Sequence, residues 1–161
     1  MRAILTVAAV GLLAACSSGK DEITQREQIG QNWKYEQASA GRVAYIGSAN
    51  SVATIHAPDT FSVMLVQPMD NGEKDVRVKL VGAPFTCDLS DCAVTATTDD
   101  GKTHRWKGRM TDTNDGIEIM PSQKAYETIA QAKSVKVDLA VGPQNRTFPF
   151  EFRVDGLNLG A

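Results

Sequence analysis

The sequence predicts a mainly β domain: an antiparallel β-sandwich or barrel-like fold with one short helix late in the chain. Three observations carry that expectation. From Trp33 onward, apolar residues recur at every second position in run after run, the period of a half-buried strand. Gly-, Asp- and Asn-rich turns punctuate those runs closely enough for about eight to ten short strands. Only one stretch, beginning near Ser122, follows a helical period. With 161 residues the chain allows one such domain.

The elements follow in order. Trp33 and Tyr35 alternate with Lys34 and Glu36, and Val43-Ala44-Tyr45-Ile46 is a second short strand closed by Gly47-Ser48. Val52 to His56 reads as a third. Phe61, Val63 and Leu65 alternate with Ser62, Met64 and Val66, apolar on both sides, which places that strand near the middle of the core. Val76, Val78 and Leu80 alternate with Asp75, Arg77 and Lys79, a strand with a charged outer face. Ala93 to Thr98 leads into Asp99-Asp100-Gly101-Lys102, whose Asp-Gly pair has the chemistry of a type I′ hairpin turn. Thr103 to Met110 returns, Asp112 to Gly116 turns, and Gly116 to Met120 is a short strand. Ser122 reads as a helix N-cap after Pro121, with Tyr126, Ile129, Ala130 and Ala132 to Lys133 at helical spacing. Val135, Val137, Leu139 and Val141 then alternate with polar or small residues. After a turn at 142–145, Phe148, Phe150, Phe152 and Val154 form the most hydrophobic face present.

The N-terminal segment has a different character. Arg2 is a short positive region, Ala3 to Ala15 carries no charge, and the stretch is shorter than the roughly 20 apolar residues of a membrane span. Its end, Leu13-Ala14-Ala15-Cys16, resembles the lipobox of bacterial lipoproteins. That resemblance implies that residues 1–15 are a signal peptide removed at Cys16 and that the Cys16 thiol is lipidated. Several acyl chains on one residue make a firm membrane anchor. Ser17 in place of Asp after the lipidated residue implies the periplasmic face of an outer membrane. Residues 16–32 are polar apart from Ile23 and Ile29 and read as a flexible tether spanning about 22 Å. The β-rich domain then occupies 33–161.

With Cys16 taken up by lipid, Cys87 and Cys92 remain as an even pair. In an oxidising periplasm they are expected to form a disulfide that fixes a tight connection between strands. The spacing is not the CxxC of thiol oxidoreductases, and zinc would need two more ligands where only His56 and His104 exist, so no metal is expected. From Phe85 to Leu157 the order of Cys pair, hairpin, Trp, helix and two closing strands resembles poorly characterised proteobacterial envelope proteins, which bears on fold and compartment only.

The balance of 17 basic and 19 acidic residues excludes a nucleic-acid-coating protein. No nucleophile elbow or phosphate loop is present, the two histidines stand alone, and the carboxylates at Asp88, Asp91, Asp99, Asp100, Asp112 and Asp115 fall where turns favour Asp. No enzymatic activity and no cofactor are therefore expected. The run His104-Arg105-Trp106-Lys107-Gly108-Arg109 is the one candidate binding surface. Strand alternation puts Arg105, Lys107 and Arg109 on one face and turns Trp106 inward. The expected function is a lipid-anchored envelope binding or assembly module whose partners are the membrane and another envelope protein. The alternative is an inhibitor or immunity-type lipoprotein that blocks a toxin, hydrolase or phage entry.

Overall fold

A computed structural model of the chain describes residues 24–113 and 116–160. The expected signal peptide, Cys16, the tether up to residue 23, and Asn114-Asp115 of one turn lie outside the described residues. Among the described residues the strands are β1 (Lys34–Ala38), β2 (Gly41–Gly47), β3 (Phe61–Pro68), β4 (Lys74–Val81), β5 (Cys92–Thr98), β6 (Thr103–Met110), β7 (Ile117–Met120), β8 (Ser134–Gly142) and β9 (Arg146–Arg153). The helices are α1 (Gln25–Ile29) and α2 (Ser122–Gln131). All the strands join one sheet, in the order β1-β2-β3-β4-β7-β6-β5-β8-β9, and every pairing is antiparallel. The mainly β prediction holds.

The sheet curls until its two edges meet. Trp33 Nε1 donates to Val154 O at 3.0 Å, Tyr35 Oη to Gly156 O at 3.1 Å, and Ala49 N to Glu151 O at 2.6 Å. Asn50 spans the same gap, its side chain donating to Pro149 O and accepting from Glu151 N, each at 2.8 Å. The closure is barrel-like, made by the 48–50 segment and the C-terminal residues instead of a strand ladder. It also covers backbone groups that an open edge would leave exposed. Pro149 on β9 fits that position, since an edge strand tolerates a residue with no N–H.

Inside, Met64 and Val66 of β3 meet Val76 and Val78 of β4, with Phe150 and Phe152 of β9 fully buried. The helix α2 closes one end. Its Ala125 and Ile129 are buried, and Gln123 Oε1 accepts from Lys74 N at the start of β4. The other end carries α1, the 48–60 segment and the 82–91 crossover from β4 to β5.

Four local expectations are corrected. Val52 to His56 is not a strand: Val52 makes a single bridge to Thr60, and Thr54 to Ala57 form a turn because the Thr54 hydroxyl competes for the backbone N–H groups of His56 and Ala57. The hairpin at 99–101 is not type I′. Only Gly101 has positive φ, at 80°, the form of a three-residue loop ending in a left-handed glycine. The N-cap of α2 is Pro121, with Ser122 already helical and bonded to Ile119 O, and Ala130 is exposed while Ala125 is buried. The end of the expected tether is folded, because Thr24 and Glu27 form a reciprocal capping box that starts α1. Gly47 N then donates to Gly30 O at 2.9 Å, docking the helix on β2.

Candidate interaction surface

Strand β6 alternates as its sequence implies. Arg105, Lys107 and Arg109 are exposed, Trp106 is 5% exposed, and Gly108 is buried. The inward side is what holds the outward row in place. Trp106 packs into the core beside Val94, its register partner on β5, and stacks against His104 with ring centroids 5.8 Å apart. A Cβ on Gly108 would sit 2.6 Å from Ile117 Cδ1, so only glycine lets β6 lie this close to β7.

Two of the three cations already have partners. Lys107 Nζ lies 2.8 Å from Asp91 and Arg109 Nη2 3.1 Å from Glu118. Register sets Glu118 of β7 between Arg109 on β6 and Arg77 on β4, and Arg77 is bonded at 2.5 Å to Asp75, a carboxylate only 1% exposed. Exposed pairs of this kind contribute about 0–1 kcal/mol each, so they orient side chains more than they stabilise the fold. Arg105 stands opposite Thr95 and makes no ion pair among the described residues.

Cys87 and Cys92 form the expected disulfide, with an S–S distance of 1.95 Å and Cα atoms 5.4 Å apart. Within the loop Asp88 Oδ1 accepts from Ser90 N and Ser90 Oγ, and those bonds hold its carboxyl below the usual carboxylate range. The loop reaches β6 twice, since Leu89 O accepts from Met110 N at 2.7 Å and Asp91 pairs with Lys107. The disulfide loop therefore braces the basic strand. Between the loop and the end of β4 lies a cleft of about 500 Å³ lined chiefly by Leu80, Pro84, Phe85, Leu89 and Met110.

The histidines lie apart, His56 in the 52–60 loop and His104 on β6 at the α2 end. His104 shares a shallow polar hollow with Asp99, Asp100, Lys102 and Thr128. The two acids there are engaged elsewhere. Asp99 accepts from Lys133 N at 2.8 Å, which holds its carboxyl low, and Asp100 is held well below the usual range by Lys102 and Thr98. Carboxylates held ionised in this way are weak bases at neutral pH. Among the described residues no cluster of His, Cys, Asp and Glu could hold a metal ion, and no helix is long and apolar enough to cross a membrane.

Two features escaped the sequence reading. One is α1, for which Thr24-Gln25-Arg26-Glu27 is a legible capping-box signal. The other is the braced loop at 52–60, which carries Ile55 outward at 82% exposure. Thr54 followed by Pro58 was the available turn signal.

No protein family matches the chain, and no curated protein does. Among solved structures, the crystal structure of invasion associated protein B from Bartonella henselae is similar at a TM-score of 0.49 and 14% identity, over 80% of this chain and 87% of that one.

Proposed function

We propose that the chain is a lipid-anchored binding or assembly module of the cell envelope. In this reading Cys16 holds it to the periplasmic face of an outer membrane, and the β domain presents a cationic strand to another envelope protein. The observation that carries the proposal is the row Arg105, Lys107 and Arg109, leaving one face of a strand whose other face is locked by Trp106 and Gly108. Alternate residues on a strand stand about 7 Å apart, so the row offers a fixed charge spacing to a partner. Complementary charge of this kind selects a partner and speeds encounter more than it adds affinity. Docking at Lys107 and Arg109 exchanges Asp91 and Glu118 for the partner's acids, while Arg105 is available without such exchange. The Cys87–Cys92 disulfide supports an oxidising compartment. Catalysis forms no part of the proposal, in keeping with the commitment of Asp99 and Asp100 to their own loop.

A photoreactive amino acid at Thr103, exposed on the same face, tests this inside cells. The expected result is one recurrent envelope protein in the crosslinked product identified by mass spectrometry. Capture only of a secreted hydrolase or toxin would replace the assembly reading with the inhibitor one.

A further inference from the structure

A single exposed aliphatic residue is ordinary on a protein surface, but Ile55 is presented by a built support. Thr54 N donates to Ala57 O at 2.8 Å, and the Thr54 hydroxyl accepts from His56 N and Ala57 N at 3.2 and 3.1 Å. The same hydroxyl meets Thr60 Oγ1 at 3.1 Å, below which the Val52–Thr60 bridge closes the loop. Backbone and side-chain bonds thus hold the turn in the form that turns Ile55 to solvent.

The position of this loop says what it meets. The Arg26 guanidinium in α1 bonds Ala49 O at 2.6 Å and Ser51 Oγ at 3.3 Å, and lies 3.5 Å from Asp59. Thr24 and Asp59 line the same hollow. The chain therefore enters the domain beside the Ile55 loop. Eight residues separate Thr24 from Cys16, a reach of at most about 28 Å. If Cys16 is the anchor, the end of the barrel that carries Ile55 is the end the short tether draws toward the bilayer. The charged neighbours of the tip, Asp59 and Arg26, are already paired with each other.

We infer that the Thr54–Ala57 tip is a second membrane contact, with Ile55 entering the interfacial layer of the bilayer that holds Cys16. This rests on the anchor proposed above. The contact sets the orientation of the domain: the α2 end points away from the membrane, and the basic row of β6 lies on the barrel wall where a partner can reach it.

The test uses the lipidated full chain in phosphatidylethanolamine–phosphatidylglycerol vesicles with brominated acyl chains, which quench nearby tryptophan. Ile55→Trp is compared with Ser39→Trp, an exposed position on the β1–β2 turn at the opposite end of β2 from α1. Added fluorescence at position 55 is expected to be quenched at least twofold more strongly than at position 39. Equal quenching at the two positions would overturn the inference. So would a position 55 that responds only when a protein partner is added, which would make the tip a protein-docking element. Intact mass separates the two layers of the argument. Acylated Cys16 with position 55 unquenched overturns the orientation alone, whereas unmodified Cys16 overturns the anchor and the orientation together.

Discussion

Replacing both Cys87 and Cys92 with alanine tests the loop that braces the basic strand. Alanine is chosen over serine because Cys92 is fully buried and a hydroxyl there would need a partner. The two cysteines are five positions apart, and closing so short a loop is worth about 2 kcal/mol of unfolded-state entropy. Losing the packed sulfur of Cys92 adds about 1 kcal/mol. The expected cost is about 2–3 kcal/mol, or roughly 6–12 °C in Tm for a domain of this size. Urea unfolding should therefore show an earlier midpoint with nearly the same slope. Hydrogen exchange gives a local check, since the Met110 amide is held by Leu89 O in the same loop and should exchange faster in the variant. An unchanged midpoint would show that the disulfide constrains nothing. A loss above about 6 kcal/mol would show that the loop belongs to the central core and is no local brace.

Further consequences are as direct. Gly47→Ala places a Cβ 2.7 Å from Gly30 O and 3.2 Å from Ile29 Cγ2, so it should displace α1 and cost about 1–3 kcal/mol, visible as loss of protection of the Gly47 amide; full protection would mean that α1 docks by other contacts. Gln144 sits at φ 54° in the β8–β9 turn, a left-handed conformation strained for a residue with a Cβ, and Gln144→Gly should stabilise the domain by about 0.5–1 kcal/mol in urea unfolding. A destabilised variant would contradict the turn geometry. The Asp99 carboxyl is lowered by the Lys133 amide, so its folded state favours the ionised form. Its stabilisation is complete above the unfolded carboxylate pKa of about 4 and is lost as pH falls below it. Asp99→Ala should flatten the decline in stability below about pH 4, and an unchanged acid limb would argue against that role.

The strands were legible where local pattern and tertiary context agree. β4 alternates Val76, Val78 and Leu80 with charged residues because one of its faces is core and the other solvent, and Phe150 and Phe152 on β9 announced their burial in the same way. The closure of the sheet was not legible, because it depends on Trp33, Tyr35 and Asn50 meeting residues about a hundred positions away through side-chain and turn hydrogen bonds that leave no periodic trace. Val52 to His56 misled because β-branched composition favours a strand, whereas the Thr54 hydroxyl satisfies the local backbone in a turn. The outward row of β6 was readable from alternation alone. Its pairing with Asp91 and Glu118 was not, since one partner comes from the disulfide loop and the other from a neighbouring strand whose register no local signal specifies.

The measurement that bears most directly on the proposed function is the in-cell capture at Thr103 repeated in a variant carrying Arg105→Glu, Lys107→Gln and Arg109→Gln. These side chains are all exposed, so the fold should persist, as circular dichroism and the urea midpoint can verify. The account predicts that the crosslinked partner seen with the natural row falls at least tenfold while membrane association through Cys16 is unchanged. Undiminished capture of the same partner by the neutralised strand would contradict it.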